Sequence, residues 1–191
     1  MPFKFEDTPI RDLKIITPHI FEDERGFLIK PYMKSEFEKN GITCSFSEEI
    51  HSKSQKGVIR GLHYQLRPVA QGKLLRVIKG SIFDVAVDIR KGSPTYGKYV
   101  SVVLSAENKL LFWVPAGFAH GFLSLEDGSE VSYKETAEYS KENERGIRWD
   151  DPDINIKWPL DGITPKVSEK DSKSPFLKDA DNNFIYGDSV C

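Results

Sequence analysis

The chain has 191 residues, 39% hydrophobic and 29% charged, which suits one domain with a sizeable core and excludes a mini-protein held by staples. Lys and Arg number 27 against 29 Asp and Glu, a net charge of −2, so no overall basic field recommends a nucleic-acid or anionic-membrane partner, and an anionic ligand must be held locally. The two cysteines, Cys44 and Cys191, make no Cys-x-x-Cys pair and are too few for a disulfide framework, which points to a reducing, cytoplasmic setting in which neither has a chemical role.

In chain order, the opening Met-Pro-Phe-Lys-Phe-Glu-Asp lacks the apolar core of a signal peptide. The best helix signal is 34–40, short and peripheral, with Ser35 as N-cap and Gly41 as stop. Residues 74–78, the turn Lys79-Gly80-Ser81 and residues 82–89 read as a hairpin. In its second arm Phe83, Val85, Val87 and Ile89 alternate with Asp84, Ala86, Asp88 and Arg90, the pattern of a half-buried strand. Residues 99–104 and 109–114 are rich in β-branched and aromatic residues and are joined by Ala106-Glu107-Asn108. The longest strictly apolar run, 110–116 counting Pro115, is far short of a membrane span. Residues 122–125 and 130–136 read as a second hairpin, closed by Glu126-Asp127-Gly128.

Short strands without helical periods between them predict an all-β, antiparallel sandwich or barrel. From about Lys141 the composition turns to charges, prolines and turns, through Trp149-Asp150-Asp151-Pro152 and Trp158-Pro159-Leu160 to a polar tail over 175–191. No repeat or linker divides the chain. The expected organisation is one domain over 1–191, with its core at about 20–140 and a loop-rich wrap over 141–191.

Four histidines occur. His19 follows Thr17-Pro18 in a turn, and His51 lies in the polar stretch Ile50-His51-Ser52-Lys53-Ser54, so both read as structural or solvated. His63, in Arg60-Gly61-Leu62-His63-Tyr64-Gln65, has Arg60 and Lys73 near it in sequence; His120 follows a Pro-x-Gly turn in Pro115-Ala116-Gly117-Phe118-Ala119-His120. The second segment resembles the second motif of cupin barrels, whose first motif normally supplies a His-x-His pair. Here that stretch is His63-Tyr64-Gln65, one imidazole short of the three protein ligands a catalytic metal usually needs, so no metal is expected. Metal-free acid–base chemistry fits better: an imidazole as base, backed by a carboxylate. Arg60 and Lys73 suit a diphosphate or a developing oxyanion. Tyr133 is either a second proton donor or simply a strand tyrosine.

The chain resembles the dTDP-4-dehydrorhamnose 3,5-epimerase family over nearly its full length. The shared blocks include Phe21-x-Asp23-x-Arg25-Gly26-Phe27, His51-Ser52-Lys53-Ser54, the segment from Gly57 to Gln65, Gln71-Gly72-Lys73-Leu74, Pro115-x-Gly117-Phe118-Ala119-His120-Gly121, Tyr133-Lys134, Tyr139-Ser140 and Ser168-x-Lys170-Asp171. The resemblance implies a cupin-type antiparallel jelly-roll barrel with a few short peripheral helices, no cofactor, and epimerisation at C3 and C5 of a nucleotide-linked 4-keto-6-deoxyhexose. It implies His63 as base with Asp171 as its partner, Tyr133 as acid, and Lys73, helped by Arg60, as stabiliser of the enolate oxygen. It places Arg25 and His120 on the nucleotide-sugar and Tyr139 against the base, with Glu144 and Lys170 as further ligand contacts. It also implies a homodimer with strands exchanged near the N-terminus.

The chain departs from the family at three implied contacts. Lys30 stands where an acidic residue is usual, and Glu48 and Ile50 stand where Gln and Asn are usual, so hydrogen bonds made there cannot be identical. A CDP- or GDP-linked sugar, inversion at C3 or C5 alone, and a non-catalytic sugar-nucleotide-binding cupin therefore remain alternatives at this point. A metal-dependent cupin enzyme is the remaining class.

Overall fold

The structure is a computed structural model and describes residues 2–189 and 191. Strand β1 (Phe3–Asp7) pairs antiparallel with β2 (Lys14–Pro18), and β3 (Ile20–Asp23) forms a separate two-stranded ribbon with β4 (Gly26–Ile29). Helix α1 (Lys34–Lys39) follows, then β5 (Glu48–Ser54), β6 (Val58–Gln65), β7 (Lys73–Lys79), β8 (Ser81–Asp88), β9 (Tyr99–Ser105), β10 (Leu111–Val114), β11 (Phe118–Ser124) and β12 (Ser129–Glu135). The wrap adds β13 (Glu144–Gly146), β14 (Lys166–Val167), helix α2 (Glu169–Ser172) and a 3-10 turn at Leu177–Asp179.

Two main sheets result. One has the order β1-β2-β10-β7-β12-β5; the other runs β13-β6-β11-β8-β9, with β14 lying parallel to the start of β6. They form the antiparallel jelly-roll barrel expected, with only short helices. Between the sheets Leu75, Val77, Ala86, Phe112, Phe118, Phe122 and Val131 make the inner core. A second cluster lies under the wrap, where Leu62, Val85, Val87 and Ala119 meet Ile147, Ile154, Leu177 and Phe184.

That second cluster corrects the reading of β8. Both of its faces are covered, and Ile82 and the whole run Asp84 to Asp88 are buried, so its alternation of apolar and charged residues does not mark a solvent face. The two expected hairpins are corrected as well: β7 and β8 lie in different sheets, and so do β11 and β12. A tight Gly-containing turn can carry a chain around the rim of a barrel as readily as back along one sheet, and composition does not distinguish the two. Gly80 has φ +73, and a Cβ there would stand 2.7 Å from the Ser129 hydroxyl.

Three further expectations change. The core begins before residue 20, because β1 and β2 join the first sheet and Phe3, Ile10, Leu13 and Ile16 are buried. Helix α1 starts from Met33 without a side-chain cap, so Ser35 is not the N-cap, although Gly41 does follow the helix with φ +84. Its Phe37 is fully buried against Phe3, Phe5 and Tyr32. Cys44 and Cys191 are joined as a disulfide across 147 positions, which overturns the reading of both as chemically idle. Spacing alone gave no sign that the tail returns to the segment after α1.

Candidate active site

A cavity of about 290 Å³ opens among β6, β7, β11, β12 and the β14–α2 segment. His63 and His120 come to it as direct cross-strand partners on β6 and β11, while Lys73 and Tyr133 come from β7 and β12 of the facing sheet. The barrel thus presents two imidazoles from one wall, and an ammonium and a phenol from the other. Gly61 and Gly121 let β6 and β11 approach this closely: a Cβ at Gly61 (φ +114) would meet His120 O at 2.6 Å, and one at Gly121 would meet Arg60 O at 2.6 Å.

His63 Nε2 lies 2.7 Å from Asp171 Oδ1, leaving Nδ1 as the nitrogen able to take up a proton. The carboxylate is held on α2, where the Ser168 side chain caps the helix by accepting from Asp171 N at 3.0 Å, and Oδ2 accepts from Gly61 N at 3.2 Å. Burial alone would raise the Asp171 pKa, but the bonds from His63, Gly61 N–H and Ser168 outweigh it and hold the carboxyl below the ordinary range. An ionised carboxylate at Nε2 fixes the imidazole tautomer and favours the imidazolium formed on proton uptake. Tyr133 is its counterpart in chemistry: burial, reinforced by Glu135, pushes the phenol up to about 12, so it carries its proton at neutral pH.

Lys73 Nζ is bonded to Glu135, its register partner on β12. The second oxygen of Glu135 accepts from Gln71 Nε2 at 2.7 Å. His120 makes a second, deeper dyad, with Nε2 2.9 Å from Asp84 Oδ1. Asp84 is fully buried, which raises its pKa against the pull of His120. Glu135 and Asp84 escaped the reading from sequence. A signal for Glu135 was present, since Tyr133 and Glu135 are two apart on one strand and must share a face. Asp84 read as the solvent side of β8. Lys166 and Ser168 also line the cavity and were not singled out as site residues.

The other expected contacts fall into two groups. Arg60 lines the cavity, anchored through Nε to Ser54 Oγ at 3.0 Å and through Nη2 to Lys53 O at 3.1 Å. Lys170 lines it too and is ion-paired to Glu144. Glu144 accepts from the Tyr139 hydroxyl at 2.8 Å, and Glu48 accepts from Tyr139 N at 2.7 Å. Tyr139, Glu48, Glu144 and Lys170 are therefore one linked rim, with the Tyr139 ring 54% exposed. Ile50 is the β5 partner of Tyr133. Arg25 and Lys30 are not brought to this cavity; both line a surface hollow on the β3–β4 ribbon, where Arg25 is bound to Asp23 at 2.5 Å. His19 packs on Phe21 at 4.5 Å, and His51 lies 3.3 Å from Glu130, both outside the cavity. Among the described residues no three His, Cys, Asp or Glu side chains come together as a metal site.

A jelly-roll barrel that sets a His–Asp pair opposite a protonated tyrosine in a cavity lined by cations has the groups that an isomerase moving protons needs. Residues 7–179 match the family described as dTDP-4-dehydrorhamnose 3,5-epimerase, and the chain belongs to that family. It is 53% identical over 175 residues to a Shigella flexneri dTDP-4-dehydrorhamnose 3,5-epimerase, covering 91% of this chain and 96% of that one. A solved dTDP-6-deoxy-D-glucose-3,5-epimerase from Legionella pneumophila, in complex with dTDP-4-keto-L-rhamnose, is 47% identical with a TM-score of 0.89, covering 92% of this chain and 93% of that one. A Bacillus anthracis dTDP-4-dehydrorhamnose 3,5-epimerase with TDP and PPi bound is 41% identical with a TM-score of 0.88, covering 91% and 99%.

Proposed function

We propose that this chain inverts C3 and C5 of dTDP-4-dehydro-6-deoxy-D-glucose to give dTDP-4-dehydro-L-rhamnose. One observation carries the reading: His63 on β6 and Tyr133 on β12, which we take as base and acid, line one cavity from facing sheets. The 4-keto group acidifies the hydrogens at C3 and C5. His63 Nδ1 takes the proton from one carbon, and the electron pair of that C–H bond moves into an enolate with its charge on O4. Lys73, oriented by Glu135, stabilises that oxygen. Tyr133 then delivers its proton to the opposite face of the same carbon, which inverts it, and exchange of both groups with solvent resets the site. Repetition at the second carbon completes the reaction, with no redox step.

In this reading Arg60, His120, Lys170 and Glu144 hold the nucleotide-sugar, and the exposed Tyr139 ring packs on the base. Arg25 and Lys30, remote from the cavity in one chain, serve the site of a second copy. The β3–β4 ribbon supports that assignment, because it exposes Phe21, Phe27 and Leu28 together. A homodimer that exchanges this region, each chain working as a single unit, is the assembly proposed. Light scattering should give twice the chain mass.

The activity is tested by proton NMR in deuterated water with dTDP-, CDP- and GDP-linked 4-keto-6-deoxyglucose. Deuterium entering both C3 and C5 of the dTDP sugar is the expected result. Uptake at one carbon alone, or only with another nucleotide, contradicts it.

A further inference from the structure

Six basic side chains line the cavity: Arg60, His63, Lys73, His120, Lys166 and Lys170. Four of them already face a carboxylate, in the pairs His63–Asp171, Lys73–Glu135, His120–Asp84 and Lys170–Glu144. Arg60 is bonded only to the neutral Ser54 Oγ and Lys53 O, and Lys166 has no carboxylate within ion-pair distance among the described residues. With His63 neutral, as a base must be, the His63–Asp171 dyad itself contributes a negative charge. The unpaired positive charge of the cavity is therefore that of Arg60 and Lys166.

Their placement matches their charge. Strand β14 runs parallel to β6 with Lys166 opposite Val58, so the alternation of side chains puts Lys166, Val58 and, two residues on, Arg60 on one face. Both cations are exposed, whereas Lys73, His120 and Asp171 are buried. The free charges thus stand at the open end of the cavity, with His63 and Tyr133 half-buried and Lys73 and Asp171 buried. A ligand that places a neutral ring inside and a doubly charged group outside fits that gradient.

We propose that Lys166 is a substrate-binding residue which, with Arg60, holds the diphosphate of the nucleotide-sugar. This rests on the reading of the substrate as a nucleoside diphosphate sugar. Lys170, whose charge is taken up by Glu144, then serves the rim beneath Tyr139 rather than the diphosphate.

Calorimetric titration of wild-type protein and the Lys166→Ala, Lys166→Gln and Lys166→Arg variants with TDP, inorganic pyrophosphate and thymidine tests the assignment. Loss of one charge-assisted contact should weaken TDP and pyrophosphate by about fivefold to tenfold in the Ala and Gln variants. Thymidine should bind as to the wild type, Lys166→Arg should restore most of the affinity, and in turnover the loss should fall on KM rather than kcat. Unchanged TDP affinity in Lys166→Ala, or an equal loss for thymidine, overturns the proposal. If the wild type turns over the dTDP sugar while Lys166→Ala binds TDP normally, only the role of Lys166 fails. A wild type that neither binds TDP nor turns over the sugar removes the substrate reading and this proposal together.

Discussion

Asp171 and His63 are bonded to each other, so on the proposed mechanism changing either should damage the same step. Replacing His63 by Asn removes the base and should lower kcat about 10²–10⁴-fold. Asp171→Asn should cost about a hundredfold or more, because an amide at Nε2 neither fixes the tautomer nor balances an imidazolium. The same carboxylate links stability to pH. Its folded pKa lies below the unfolded value, so the unfolded chain binds the proton more readily and stability rises with pH across that interval. The contribution is present above the unfolded pKa and is lost as pH falls through the folded one. Urea unfolding below about pH 4 should therefore be less pH-dependent in Asp171→Asn than in the wild type. At this scale much was legible: His63, Lys73, Tyr133 and Asp171 all reach one cavity. Glu135 shares the face of Tyr133 by its spacing and could have been read from it; Asp84 was not legible, because a carboxylate in an alternating strand carries no mark of which face is covered.

The elements explain why those side chains meet. Strands β6 and β11 pass almost backbone to backbone at Gly61 and Gly121, and the Gly61 N–H is also a donor to Asp171. Gly61→Ala adds a methyl 2.6 Å from His120 O at a φ of +114, so it should destabilise the fold by about 2 kcal/mol or more. Activity should fall further than stability explains, since the His63–Asp171 pair shifts with that backbone; denaturant melts beside kcat measure both. The positions of β7 to β12 were legible from period-two patterns and turn residues, within a few positions. Their assignment to sheets was not, because Lys79-Gly80-Ser81 and Glu126-Asp127-Gly128 are turn signals whether the chain folds back or crosses the rim. Strand β5, Glu48–Ser54, has too polar a sequence to stand out, yet it is the edge strand that places Ile50 beside Tyr133.

Across the whole molecule, the near balance of charge hides a local arrangement: carboxylates neutralise most of the cavity's cations, and Arg60 and Lys166 are left for the ligand. The Cys44–Cys191 bridge ties the C-terminus to the segment after α1. Native protein should show no reactive thiol before reduction, and Cys191→Ser should lose about 2–4 kcal/mol in chemical unfolding. The bridge was illegible because two isolated cysteines carry no information on the path of a loop-rich tail. On the proposed mechanism one proton donor stands against one acceptor across the sugar ring, and Tyr133→Phe, followed by proton NMR with the dTDP sugar in deuterated water, examines that most directly. His63 stays in place, so deuterium should still enter at C3 and C5, while the inverted product forms about a hundredfold more slowly. Inversion at the wild-type rate without the Tyr133 hydroxyl would contradict the two-sided mechanism.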